Sequence, residues 1–166
     1  MLIIGNRNIL NIPMTLKTIE LINIILCAIV GGMYWGPWLA LTRSIKHFEP
    51  TVFLTIVNRL NTNMAPLMTV LTPLSLLTTI PVLIIAYIEK QTTTFYFTFV
   101  GFAFFITALI VTVSIEVPIV KQIITWTDTS LPENWEQLRD KWGKFHIVRV
   151  LAGVLGLVFL VAGVLF

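Results

Sequence analysis

Charge is what this sequence has least of. Asp, Glu, Lys and Arg supply 11% of its 166 residues, against about a quarter in a soluble domain of ordinary composition. That shortage excludes a water-soluble globular domain. One cysteine, Cys27, sits inside an apolar run, so no disulfide framework exists. Two histidines and that one cysteine make a thin ligand set, and no metal is expected. The chain has no Gly-rich phosphate loop, no nucleophile elbow and no paired His–carboxylate signature. The net charge of +3 is small, and nothing argues for a nucleic-acid partner. The N-terminal "MLIIGNRNILNIPMTLKT" lacks a short apolar core followed by a small-residue cleavage site, so no cleavable signal peptide is expected.

What the sequence has in abundance is apolar length. Apolar residues make up 57% of the chain. They fall in four blocks, roughly 20–41, 64–88, 95–120 and 146–166, each near the ~20 residues that a helix needs to cross the hydrocarbon core. A spanning segment must satisfy its own backbone polar groups, which makes these blocks helices. The expected fold is all-α: an integral membrane four-helix bundle, one domain over 1–166, with membrane lipid as its surroundings. "EKQTTT" joins spans two and three. The connections 42–63 and 121–145 are longer and read as amphipathic helices on one side.

Lys and Arg set the expected orientation. The N-terminal tail and the short loop carry three (Arg7, Lys17, Lys90), and the long loops carry seven (Arg43, Lys46, Arg59, Lys121, Arg139, Lys141, Lys144). The long loops are therefore read as cytoplasmic, in an inner membrane, with both termini outside. All five tryptophans (Trp35, Trp38, Trp126, Trp135, Trp142) fall at the long-loop side. Glu116, His146 and Arg149 lie just inside the membrane at that end. Indole and charge gathered there suggest a cavity opening on that face.

The stretch "WEQLRDKWGKFHIVRVLAG" begins as a charged surface helix and ends as a lipid-soluble one. Pro132 suits the first turn of a helix, and Glu133 and Glu136 suit its N-terminal dipole. Trp135, Leu138, Trp142 and Phe145 form an apolar stripe, while Arg139, Trp142, His146 and Arg149 share a face. One long helix is expected, with Gly143 as the place for a bend. Ionisable groups at this depth have a partner or a task. Glu116 and Arg149 read first as a pair across spans three and four. His146 is either an interhelical hydrogen-bonding group or a general base, the side chain titrating nearest neutrality. His47 reads as solvated. Met64 and Met68 read as core packing. Pro66, Pro73 and Pro81 imply a bent span two, whose freed carbonyls are expected to meet Thr72, Ser75 or Thr78. Gly153, Gly156 and Gly163 read as a close helix contact.

"EVPIVKQIITWT", followed by "WEQLRDKW" and "FHIVR", resembles the C-terminal half of the anthrone oxygenase-like family of small four-span membrane proteins. The pattern is a proline closing span three, then Trp, Arg, Trp, a polar residue and an Arg entering span four: Pro118, Trp135, Arg139, Trp142, His146 and Arg149. "GGMYWGPWLAL" and the loop before Met64 are compatible with it. Val120 and His146 stand where the family pattern has Asn. The resemblance implies an oxygenase that turns anthrones into anthraquinones with molecular oxygen, without metal or flavin. A base, a cation near the developing oxyanion and a dry aromatic pocket would suffice. On that reading His146, Arg149 and Glu116 are the catalytic candidates. Trp35, Trp38, Arg59, Trp135, Arg139 and Trp142 are the substrate-binding candidates, and the partner is a lipophilic small molecule. The alternative is a non-catalytic membrane binding, transport-accessory or assembly protein whose charged pair locks the bundle.

The Lys/Arg count predicts the labelling of reporters. A reporter fused after Phe166 is expected to be accessible from outside the cell, and one inserted in 42–63 from the cytoplasm. The opposite labelling would reverse the orientation.

Overall fold

A computed structural model describes residues 14–127 and 129–166. The N-terminal tail, including Arg7 and most of the segment considered as a signal peptide, lies outside them. Every regular element among the described residues is helical. They are α1 (Met14–Ala40), a 3₁₀ segment (Thr42–His47), α2 (Pro50–Ile88), α3 (Thr92–Val111), a π turn (Thr112–Glu116), α4 (Val117–Ile123) and α5 (Trp135–Leu165). Four helical stretches are long and apolar enough to cross a bilayer: Leu16–His47, Pro50–Ile88, Thr92–Ile123 and Trp135–Leu165. The protein is an all-α, integral membrane four-helix bundle.

The boundaries differ from the sequence reading in instructive ways. Helix α2 begins at Pro50, in the first turn where a proline's missing N–H costs nothing. It runs unbroken through 50–63, which hydropathy alone assigns to a connection. Asn58, Arg59, Asn61 and Asn63 are polar but break no helix. Its 39 residues extend about 58 Å, well beyond the ~30 Å hydrocarbon core. Helix α5 begins at Trp135, so Pro132 lies before it and accepts the Trp135 N–H at 3.0 Å. The helix continues without interruption through Gly143. The hydroxyls on α2 do not meet the carbonyls that its prolines free. Ser75 donates to Thr72 O, and Thr78 to Ser75 O. Asn23 on α1 joins them, donating to Ser75 O at 3.0 Å and lying 2.8 Å from Thr79 Oγ1. This polar stitch between α1 and α2 satisfies an amide in the short-loop half of the bundle.

Pro118 accounts for the π turn. Its ring clashes with the carbonyl four residues back and its nitrogen cannot donate. Just ahead of it the ladder widens, and the Val117 N–H reaches Thr112 O, five residues back. Such single-turn widenings collect at functional sites, and this one ends on Glu116.

Two apolar clusters hold the helices. One sits mid-bundle around Cys27, Val30, Tyr34, Phe105, Ala108 and Leu160. The other closes the long-loop end around Ile45, Phe53, Val57, Ile119, Ile123 and Trp142, with Trp126 and Trp135 against it. Small residues set the interhelical spacing. A Cβ on Gly156 would lie 2.8 Å from the Phe105 ring, and one on Gly101 would lie 2.9 Å from Gly156 O. A Cβ on Gly153 would lie 2.9 Å from the Tyr34 ring. The glycines on α5 thus let α3 and α1 approach closely, where lipid offers no hydrophobic drive for association.

Gly156→Ala is expected to destabilise the bundle by about 1–3 kcal/mol, the usual range for overpacking. Gly36→Ala, where no atom lies within 4 Å of the added methyl, is expected to be neutral or slightly stabilising. Thermal melts in one detergent compare the two. Equal melts would remove the α3–α5 contact as the reason for the glycine.

Candidate functional site

The widened turn after α3 places Glu116 opposite the membrane entry of α5. Glu116 and His146 are almost wholly buried, at 2% and 1% exposure. Arg149, one turn deeper than His146, forms an ion pair with Glu116 through Nη1 and Oε2. The pair sums to zero charge, which is what makes it tolerable away from water. The Arg149 guanidinium also lies over the Tyr34 ring, 4.8 Å from its centroid. An aromatic face attracts a cation there, most strongly where water is excluded. The place for that ring is the gap left by Gly153.

His146 Nδ1 lies 2.7 Å from Arg149 Nη2 and 3.2 Å from Glu116 Oε1. Arginine only donates and a carboxylate only accepts, so Nδ1 serves one of them at a time. With a proton on Nδ1, the imidazole donates to Glu116 and presents a bare Nε2 lone pair. With the proton on Nε2, Nδ1 accepts from Arg149 and Nε2 presents an N–H. Trp142 stacks on the imidazole, centroids 5.4 Å apart and planes at 22°, and fixes its plane. The first form is a base and the second a hydrogen-bond donor, in one place.

These groups line a cavity of about 470 Å³ between α1, α2, the π-bearing helix and α5. Tyr34, Met64, Met68, Thr72, Pro73, Glu116, Trp142, His146 and Arg149 form part of its wall. Four buried polar atoms on that wall find no hydrogen-bond partner among the described residues: Tyr34 Oη, Thr72 Oγ1, His146 Nε2 and Arg149 Nε. The Tyr34 and Thr72 hydroxyls are near neighbours without closing a hydrogen bond. An unmet buried polar group costs about 1–3 kcal/mol. Four around one apolar cavity are the pattern of a binding site whose ligand supplies the missing partners.

The structure brings together only part of the set read from sequence. Glu116, His146, Arg149 and Trp142 line the cavity. Trp135 instead packs on Phe53, 5.8 Å between centroids, with Arg139 4.9 Å above it. Arg139 also contacts Asp140 at 3.1 Å and Glu136 at 3.8 Å, and Lys46 reaches Asp140 at 3.1 Å. That network ties the start of α5 to the 3₁₀ segment. Trp38 packs against the mid-bundle cluster, and Trp35 is 44% exposed. Arg59 is exposed and lines a separate open groove with Asn58 and Trp126. Tyr34 and Thr72 are wall residues that the sequence does not mark as site candidates. A signal existed for Tyr34: the other two tyrosines, Tyr87 and Tyr96, flank the short loop, and this one lies in a span. Among the described residues, no group of three or more His, Cys, Asp or Glu side chains could hold a metal ion.

The ion pair generates a double-mutant test. Glu116→Leu or Arg149→Met alone strands a buried charge, at a cost of about 3–5 kcal/mol. Each is expected to lower the melting temperature in detergent. The double variant is expected to recover much of that loss. If it melts no higher than the worse single variant, the two side chains do not act as a pair.

A family model described as Anthrone oxygenase matches residues 53–159. No curated protein and no solved structure matches the chain. The matched stretch runs from the first turn of α2 into the last third of α5 and contains Glu116, Trp142, His146 and Arg149. It covers well over half of the chain, and the protein therefore belongs to the anthrone oxygenase family.

Proposed function

We propose that the protein is a membrane-embedded, cofactor-independent oxygenase acting on a lipophilic aromatic molecule with an acidic C–H, of the anthrone type. The observation that carries this reading is the apolar cavity with four unpartnered polar atoms, one of them His146 Nε2. Family membership supports the reaction class.

The chemistry follows from the residues. In the form with its proton on Nδ1, His146 takes a proton from the substrate C–H at Nε2. Glu116 holds the resulting imidazolium through Nδ1–H. The electron pair left on carbon delocalises onto the substrate's carbonyl oxygen. Arg149 and the Tyr34 hydroxyl are the donors available to that oxyanion. In this form Arg149 is already released from Nδ1, because a protonated Nδ1 does not accept. The carbanion passes an electron to molecular oxygen, and the two radicals combine into a C–O bond. The imidazolium returns its proton to the peroxide. Loss of the second hydrogen on that carbon, with cleavage of the O–O bond, then gives a new carbonyl and water. One oxygen molecule is consumed per quinone formed. A low-dielectric pocket strengthens each electrostatic contact.

The test is turnover of anthrone under air by the purified protein, followed by oxygen uptake and quinone absorbance. A one-to-one ratio is expected, at a rate above spontaneous oxidation and unaffected by chelators. Elemental analysis is expected to find less than one equivalent of iron, copper or zinc. His146→Ala is expected to lower kcat by about 10²–10⁴-fold, the usual worth of a general base, while the protein stays folded. Wild-type protein that fails to exceed the spontaneous rate sinks the proposal. A His146→Ala variant that unfolds shows the imidazole to be architectural.

A further inference from the structure

We infer that the cavity is entered sideways from the lipid, through the seam between α2 and the π-bearing α3–α4 helix, and that its ligands are neutral molecules dissolved in the membrane. This rests on the reading that the cavity is the working site.

The cavity wall changes character around its circumference. Towards α5 it is closed by Trp142 and His146, 4% and 1% exposed, and towards α1 Tyr34 is 1% exposed beside the half-buried Met33 and Pro37. Towards the long-loop side Val57 is 1% exposed, Leu60 and Asn61 are half-buried wall residues, and Lys121 is exposed at the rim. Along the seam the wall is open. Val113 is 58% exposed and Val117 38%, yet both line the cavity. Facing them across the gap, Ala65, Thr69 and Pro73 are likewise exposed wall residues of α2. One set of side chains thus faces both the outside of the bundle and the buried charged trio.

Depth decides what lies outside. Val113 lies about 25 Å along the helix from Tyr96 at the short-loop side, and about 12 Å from Lys121, at 1.5 Å per residue. Lys121 also lines the cavity, and its ammonium belongs at the headgroup level. An opening from Val113 to Lys121 therefore begins inside the hydrocarbon and ends at the interface. Thr69 and Pro73 lie in the middle third of α2, at hydrocarbon depth as well. The medium against this mouth is acyl chain over most of its length.

That position selects the ligand's chemistry. A charged molecule would have to shed its water to pass along the hydrocarbon part of the mouth, a cost that weighs against anions and cations alike. A flat neutral molecule already in the bilayer sheds nothing. Proton removal then comes after entry, inside the cavity, where Arg149 is the cation beside Glu116 and His146. The volume of about 470 Å³ suits a small molecule of a few fused rings rather than a phospholipid with two chains.

Thr72→Cys supplies a reporter on the inner wall, with Met68→Cys as a second reporter should the first fail to fold. Protein in lipid nanodiscs is treated with an uncharged alkyl methanethiosulfonate or with its trimethylammonium analogue. Peptide mapping follows each cysteine, so the buried Cys27 is read separately. The alkyl reagent is expected to modify the reporter at least about tenfold faster, because a charge in hydrocarbon is costly. Adding Val113→Trp, at the mouth, is expected to slow the alkyl reagent several-fold. Adding Ile110→Trp, 58% exposed but outside the cavity wall, is expected to leave it unchanged. Equal rates for the two reagents would place the entrance in water and overturn the inference. So would a Val113→Trp variant that labels as fast as Ile110→Trp. Labelling needs no turnover, so failure of the oxygenase assay and failure of the lipid entrance are separate results.

Discussion

A charge in hydrocarbon must be cancelled where it stands, and this requirement organises the bundle. Glu116 and Arg149 cancel each other across two helices, and everything near them serves their meeting. Glycines on α5 let α3 and α1 come close enough for short side-chain reach. The Tyr34 ring covers the guanidinium with a face rather than with water. His146 lies beside the pair, with Nδ1 in reach of Glu116 Oε1 and Arg149 Nη2. The pair is thus a structural clamp first. Its chemical interest comes from the imidazole it holds, whose far nitrogen is left unmet at the cavity wall.

The π turn is the second contributor. A straight α-helix through 112–120 would carry the Pro118 ring into its own backbone. The extra residue in the turn relieves that clash and rotates the residues beyond it by about 100° relative to an unbroken helix. Val113 and Glu116 consequently part company: one stands at the lipid-facing seam, the other against α5. A proline placed for backbone reasons separates the mouth of the site from its charge.

Much of this is legible in the sequence because membrane insertion leaves few alternatives. Four apolar runs have to be helices, and a lone acid and a lone arginine at matching depth have few other partners. The tryptophans are less legible. Hydropathy and depth put all five at one end, but depth is one coordinate and a cavity wall needs two. Which way each indole turns is decided by packing at the long-loop end, where Phe53 and Arg139 take Trp135. The connection 42–63 is read as helical from sequence, but its continuity with span two is not. Hydropathy ends a span where Asn and Arg begin, although they sit comfortably on a helix that has left the hydrocarbon. The π turn leaves no mark on periodicity over five residues. Its only advance sign is Pro118 inside a span.

Tyr34 lies on α1, outside the stretch 53–159 that the family model matches. The charged trio lies wholly within it. The His146 imidazole and the ion pair therefore lie inside the matched stretch, while one wall of the chamber comes from α1, outside it. Other side chains on α1 would reshape the chamber for a different guest and leave Glu116, His146 and Arg149 in place. The first helix acts as an interchangeable cheek of the vice, and the fixed jaw stays on α3 and α5.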